Sequence, residues 1–92
     1  MEINERDARW LAQVIADCGK VRRGRHPKIN VSLHDRDVVG RAASILGVPV
    51  RLRFAAPPAR STWTANVEGA RAAEILLELE PGGRLHIGPH GA

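Results

Sequence analysis

The spacing of hydrophobic and polar residues changes several times along the chain, and each change predicts a new element. The first element is a helix that begins after Asn4, which caps the free N–H groups of the first turn with help from Asp7, and ends at Gly19. Apolar residues wrap most of its circumference between Trp10 and Ala16, so we expect this helix to be covered on more than one side. The second cover is either the core of a monomer or another subunit.

Four strands are predicted where apolar residues recur at every second position. Residues 28–34 alternate without exception between apolar and polar side chains. Residues 20–23, followed by a basic turn over residues 24–27, predict a hairpin partner for this strand. The alternation returns in residues 48–54, where one face carries Val48, Val50, Leu52 and Phe54, and again after a loop in the strand 62–67, whose inner face carries Trp63, Ala65 and Val67.

Two further helices complete the predicted order. The second helix is capped by Asp35 and ends at Gly47, and the third runs from residue 69 to residue 80, where Pro81 ends it. The order is helix, two strands, helix, two strands, helix. This order predicts an α+β domain with a four-stranded antiparallel sheet, which has helices on one face and an open second face.

The composition restricts the class of protein. The chain of 92 residues makes one small domain, which we place at residues 1–82, and a loose C-terminal tail at residues 83–92. The single cysteine excludes an intrachain disulfide and favours a reducing compartment. No signal peptide and no apolar run of membrane length is present in the sequence, so we expect a cytoplasmic protein without a membrane partner.

The positive charge is concentrated in the middle of the chain. The net charge is +4, and residues 19–34 carry Lys and Arg but neither Asp nor Glu. This distribution favours an anionic partner that docks on one surface, and nucleic acid is favoured over membrane because no amphipathic basic helix carries the charge. The alternative is a basic face that is merely solvated. Aromatic residues make up 3% of the chain, which argues against binding by base stacking.

The polar residues of all four predicted strands lie on the same face of the sheet. Arg and Lys donate to guanine or phosphate, Asn pairs with adenine through two hydrogen bonds, and Ser and Thr contact either base or phosphate. A β-ribbon fits the major groove of B-form DNA, whereas the deep, narrow groove of duplex RNA excludes it. We therefore predict binding of double-stranded DNA through Lys20, Arg22, Arg25, Lys28, Asn30, Ser32, His34, Arg51, Arg53, Thr62, Thr64 and Asn66.

Residues 11–19, LAQVIADCG, resemble the nine-residue motif helix of the LAGLIDADG homing endonucleases. Four positions are identical and Val14 is a conservative replacement. The resemblance implies the αββαββα fold of that family, a saddle of strands in the major groove, and an origin in a mobile element or phage. It also implies that single-motif chains pair as homodimers through their motif helices, here through Leu11, Ala12, Gln13, Ala16 and Asp17.

The same resemblance argues against DNA cleavage. Family members keep a metal-binding carboxylate at the eighth motif position, which is Cys18 in this chain. Mg²⁺ prefers oxygen ligands, so a thiol predicts that nuclease activity has been lost and that no metal or other cofactor is bound. Asp17 lies about 100° away around the helix and becomes catalytic only if the register slips by one residue. An active Mg²⁺-dependent endonuclease that uses Asp17 is therefore one alternative, and an RNA-binding or splicing-assistance protein is another.

Overall fold

The chain folds into three helices and four strands, as the computed structural model describes for residues 3–79. This arrangement confirms the predicted α+β class and the predicted order of elements. The elements are α1 (Glu5–Cys18), β1 (Gly19–Arg22), β2 (Lys28–Leu33), α2 (Arg36–Leu46), β3 (Arg51–Arg53), β4 (Thr62–Glu68) and α3 (Ala70–Leu79).

The helix ends form through the predicted capping groups. The Asn4 side chain accepts a hydrogen bond from the backbone N–H of Asp7 at 2.8 Å, which satisfies one of the free donors of α1. Asp35 does the same for α2 by accepting from two backbone N–H groups of the first turn. Gly47 ends α2 with a φ of +73°, a left-handed conformation that glycine adopts without steric cost.

The four strands form one antiparallel sheet in the order β1-β2-β4-β3. Strands β2 and β4 are therefore the inner strands, and β1 and β3 are the edges. All three helices pack on one side of β2, and α2 and α3 also contact β4. The core lies between this helical layer and the inner strands, and its largest fully buried side chains are Leu11, Ile29, Val31, Val39, Leu46, Ile75 and Leu79.

Strand β3 departs most from the prediction. The alternation predicted a strand over residues 48–54, but only three residues pair with β4. Pro49 has no N–H to donate to a ladder, which shortens the strand at its beginning. The side chains of Leu52 and Phe54 are 51% and 78% exposed, because the helical layer covers the inner strands and leaves the edge strand uncovered. The apolar face predicted for this strand is therefore buried only in part, at Val48 and Val50.

The remaining differences concern the ends of elements and the cover of α1. Strand β1 begins and ends one residue earlier than predicted, and β2 ends at Leu33, one residue earlier. Helix α1 buries one face, formed by Ala8, Leu11, Ala12 and Ile15, so residues 3–79 do not provide the expected cover on a second side. Helix α3 begins one residue later than predicted. Residue 80, where the helix was predicted to end, lies outside the described residues, and so do Pro81 and the tail.

Gly19 joins α1 directly to β1 without a loop. A Cβ atom at this position would lie 2.7 Å from Ile15 Cα, 3.1 Å from the Ile15 carbonyl oxygen and 3.2 Å from the Asn30 carbonyl oxygen. All three neighbours are backbone atoms, which cannot move aside as a flexible side chain can. Glycine therefore permits the close contact between α1 and the sheet, and it sets the position from which β1 begins.

Candidate nucleic-acid interface

The open face of the sheet carries the polar residues that the alternation predicted. Residues that lie directly opposite each other on neighbouring strands point to the same face, so the pairing register places these side chains in rows across the sheet. From β1 towards β3, the rows are Arg22, Lys28 and Glu68; Lys20, Asn30 and Asn66; Ser32, Thr64 and Arg51; and Thr62 and Arg53.

The charges on this face lie along its two edges. Strand β1 contributes Lys20 and Arg22 to one edge, and β3 contributes Arg51 and Arg53 to the other. On the inner strands, Lys28 lies opposite Glu68 with a distance of 3.7 Å between Nζ and Oε1, so the two charges offset each other. We name the four edge cations the cationic rims. They enclose a centre of amides and hydroxyls.

The predicted site does not contain Glu68, because the predicted fourth strand ends at residue 67. Strand β4 continues to Glu68, and extension of the same alternation by one residue places this carboxylate on the open face. Both side chains of this ion pair are exposed, so the pair contributes little to the stability of the fold. Its effect on the site is electrostatic, since it removes the positive charge from the inner strands.

The face is concave over β2, β4 and β3. A groove of about 470 Å³ lies there, with Arg51 and Arg53 along one side and the inner strands beneath. Pro49, which is not among the predicted contacts, also contributes to its wall. The groove is lined by Lys28, Asn30, Ser32, Pro49, Arg51, Arg53, Thr64 and Asn66.

Three of the central side chains are hydrogen-bonded to one another. The Asn30 amide donates through Nδ2 to the Thr64 hydroxyl at 3.0 Å, and the Ser32 hydroxyl donates to Oδ1 of Asn30 at 2.9 Å. The Ser32 and Thr64 hydroxyl oxygens lie 2.9 Å apart, which closes the ring. We name this arrangement the Asn30–Ser32–Thr64 ring. It connects two strands and fixes the orientation of the Asn30 amide.

The other predicted contacts lie around this centre. Arg22 donates from Nε to the carbonyl oxygen of His26 at 2.7 Å, which ties the β1–β2 loop to the rim, and Arg25 is exposed in that loop. His34 lies beyond the end of β2, and its Nδ1 is 2.8 Å from the carbonyl oxygen of Ser61. A carbonyl accepts only, so Nδ1 of His34 carries a proton and is already engaged.

The residues predicted for the dimer interface fall into two groups. Leu11 and Ala12 are buried in the core of their own chain, so they cannot touch a second subunit while the domain is folded. Gln13, Ala16 and Asp17 are exposed on the opposite side of α1. The Gln13 amide donates to both carboxylate oxygens of Asp17, at 3.0 and 3.1 Å. Only these last three residues form a surface.

The end of α1 carries a thiol and a carboxylate in different environments. Cys18 is half-buried and its thiol donates to the carbonyl oxygen of Val14 at 3.1 Å. Burial, and secondarily the negative charge of Asp17, raises the pKa of the Cys18 thiol above its ordinary value. The thiol therefore stays protonated at neutral pH, whereas metal binding needs the thiolate. Within residues 3–79, no cluster of three or more His, Cys, Asp or Glu residues is arranged to hold a metal ion.

Comparisons of the chain with protein-family models, with characterised proteins and with solved structures found no match. In the described part of the chain, no helix combines the length and the apolar character that a membrane span requires. The residues of the open face are therefore the features of the molecule that indicate a function.

Proposed function

We propose that this chain is a sequence-selective protein that binds double-stranded DNA as a homodimer. The observation that carries the proposal is the distribution of charge on the open face, with two cationic rims on either side of a neutral centre of amides and hydroxyls. Cationic side chains bind phosphates without regard to sequence, and amides and hydroxyls distinguish base edges. The layout therefore matches a groove that has phosphates on both sides and base edges between them.

The dimensions of the sheet agree with this layout. The rims lie on β1 and β3, which are three strand spacings apart, or about 14 Å between backbones. The major groove of B-form DNA is about 12 Å wide. Long Lys and Arg side chains span the small difference, so each rim can reach the phosphates on its own side of the groove.

The length of the sheet sets the size of the contacted site. Strand β4 has 7 residues and is the longest strand. At about 3.3 Å per residue it extends about 23 Å, which corresponds to about seven base steps along one DNA strand. A homodimer with two-fold symmetry would contact two such half-sites, so we expect the preferred sequence to be close to palindromic.

The LAGLIDADG-like architecture forms part of the same proposal. The order of elements and the open polar face of the sheet agree with what the resemblance implies. We propose that two α1 helices meet at the two-fold axis through Gln13, Ala16 and Asp17, which are exposed in the single chain. The hydrogen-bonded side chains of Gln13 and Asp17 give this contact a polar character.

The proposal includes the loss of endonuclease activity. The protonated thiol of Cys18 stands where the family has a metal-binding carboxylate, and Mg²⁺ does not replace oxygen ligands with thiols. Asp17 is the nearby exposed carboxylate, so Mg²⁺-dependent cleavage would make Asp17 the catalytic candidate. We expect DNA binding to need no metal, because the cationic rims are formed by the side chains themselves.

The test is a competition experiment with the full chain. Labelled random-sequence duplex DNA is bound and then displaced with unlabelled duplex DNA or with structured RNA, and the bound duplex is separately incubated with Mg²⁺. We expect displacement by DNA at lower concentration than by RNA, a two-subunit complex by sedimentation, and intact DNA. Stronger displacement by RNA would favour the RNA-binding alternative, and double-strand breaks would favour the endonuclease. A monomer both free and on DNA would overturn the homodimer.

A further inference from the structure

The Asn30–Ser32–Thr64 ring restricts what the centre of the open face can recognise. The Ser32 hydroxyl has one proton and cannot donate to both of its neighbours at once. If it donates to Asn30, Thr64 must supply the proton between the two hydroxyls. Each member of the ring then donates once and accepts once, and such a cycle strengthens all three hydrogen bonds.

The ring occupies the edge of Asn30 that adenine would need. An Asn side chain recognises adenine by accepting from N6 and donating to N7, so its oxygen and an N–H group must point to the same side. In this structure both groups of Asn30 already point to the adjacent hydroxyls of Ser32 and Thr64. Asn30 was predicted as a DNA contact, but adenine recognition by it would require the ring to open.

Asn66 is the neighbouring amide that is not engaged. It lies directly opposite Asn30 in the pairing of β2 with β4, it is exposed, and it lines the groove. Within residues 3–79 the side chain of Asn66 makes no hydrogen bond or ion pair. Its oxygen and both of its N–H donors are therefore available to a ligand, in the neutral region between the cationic rims.

We infer that Asn66 is the base-selecting residue of this face and that it recognises adenine, while the polar groups of the Asn30–Ser32–Thr64 ring beside it are hydrogen-bonded to one another. This inference rests on the proposed binding of duplex DNA. Asn66 presents both groups of its amide, so it can make the paired contact with N6 and N7 of one adenine in the major groove. The ring keeps the amide of Asn30 from competing for the same base.

The test compares three proteins in a selection on a randomised duplex library. The proteins are the full wild-type chain, Asn66→Ala and the matched amide variant Asn30→Ala. We expect the wild type to enrich sites with adenine at one position in each half-site. Asn66→Ala should lose about five- to 150-fold of the preference at that position, because a paired amide–adenine contact contributes this much discrimination. Asn30→Ala should retain the preference for adenine.

An exchange of specificity provides a second measurement. In Asn66→Asp the side chain accepts only, and cytosine offers a donor at N4, so the preferred base should change from adenine to cytosine. Thermal unfolding of each variant, which is expected to match the wild type for the exposed Asn66, excludes a loss of fold. These outcomes support the inference, since a merely structural role would not change the preferred base.

Three results would overturn the inference, and they differ in whether the proposed DNA binding also fails. If Asn66→Ala enriches the same adenine position as the wild type, Asn66 does not select the base, and the proposed DNA binding still stands. If the wild type enriches no sequence and does not bind the duplex pool, the proposed function fails together with the inference. Loss of the adenine preference in Asn30→Ala alone would assign the recognition to the ring.

Discussion

Removal of one rim cation should change the salt dependence of DNA binding by a defined amount. Each phosphate contact releases counterions, so the logarithm of the binding constant falls with the logarithm of salt concentration by about 0.9 per contact. The rims contribute Lys20, Arg22, Arg51 and Arg53, whereas Lys28 is offset by Glu68. If every rim cation meets one phosphate, the expected slope is about −4 for each subunit and about −7 for a dimer.

Arg51→Ala should remove one of these contacts. The slope should become smaller by about 1 for each subunit, and affinity for all sequences should fall by a similar factor. Arg6→Ala is the matched control, because it removes the same charge from an exposed position on α1, which packs on the other side of the sheet. Its slope should equal that of the wild type.

The assay is fluorescence anisotropy with labelled random-sequence duplex DNA between 50 and 200 mM salt. Over this range a slope of about −4 costs roughly 250-fold in affinity, and the slope of about −7 expected for a dimer costs roughly 16,000-fold. Equal slopes for Arg51→Ala and Arg6→Ala would refute the assignment of the rims to phosphates. A wild-type slope near zero would refute the electrostatic basis of the proposal altogether.

Three other predictions follow from single positions. Gly19→Ala should lower the free energy of unfolding by about 1–3 kcal/mol and the melting temperature by several degrees, because its Cβ would lie too close to backbone atoms of Ile15 and Asn30. Gly40→Ala in α2, where a Cβ meets nothing within 4 Å, should not be destabilising, and equal losses in thermal melts would contradict this reason. Alkylation of Cys18 by iodoacetamide should be slow at neutral pH, because the raised pKa keeps the thiol protonated. Its rate should increase only at a higher pH than the rate for a free cysteine does, and an increase at the same or a lower pH would contradict the raised pKa. Ala16→Arg should weaken the dimer in sedimentation experiments through like-charge repulsion at the two-fold axis. The control Ser44→Arg, on the exposed side of α2, should leave the dimer unchanged. A dimer that is unchanged by Ala16→Arg would exclude this face of α1 as the dimer interface.

The sequence predicted the elements well because their signals are local. The capping groups at Asn4 and Asp35 and the stop at Gly47 act within a few residues, and each is present in the structure. The alternation of β2 and β4 also decides which residues face the core. The exposure of Leu52 and Phe54 was not predictable in this way, because it depends on how far the helical layer extends over an edge strand.

The sequence predicts which residues form the candidate site better than it predicts the hydrogen bonds and ion pairs among them. Alternation alone placed the polar residues of the strands on one face. The Asn30–Ser32–Thr64 ring depends on the register between β2 and β4, whose partners in this ring are more than 30 residues apart in the sequence. The same register sets Lys28 against Glu68 and leaves Asn66 unengaged. Local patterns carry no information on such a register.

In the proposed complex, the open face of the sheet enters the major groove of duplex DNA. The most direct measurement compares binding of the full chain to two duplex pools of identical sequence, of which one carries bulky glucosylated hydroxymethyl groups on C5 of cytosine. Substituents on C5 project into the major groove, as the thymine methyl group does, and they leave the minor groove and the phosphates unaltered. We predict that the unmodified duplex is bound and that the modified duplex loses most of its affinity. Equal affinity for the two pools, or no binding to either, would contradict binding of the open face in the major groove.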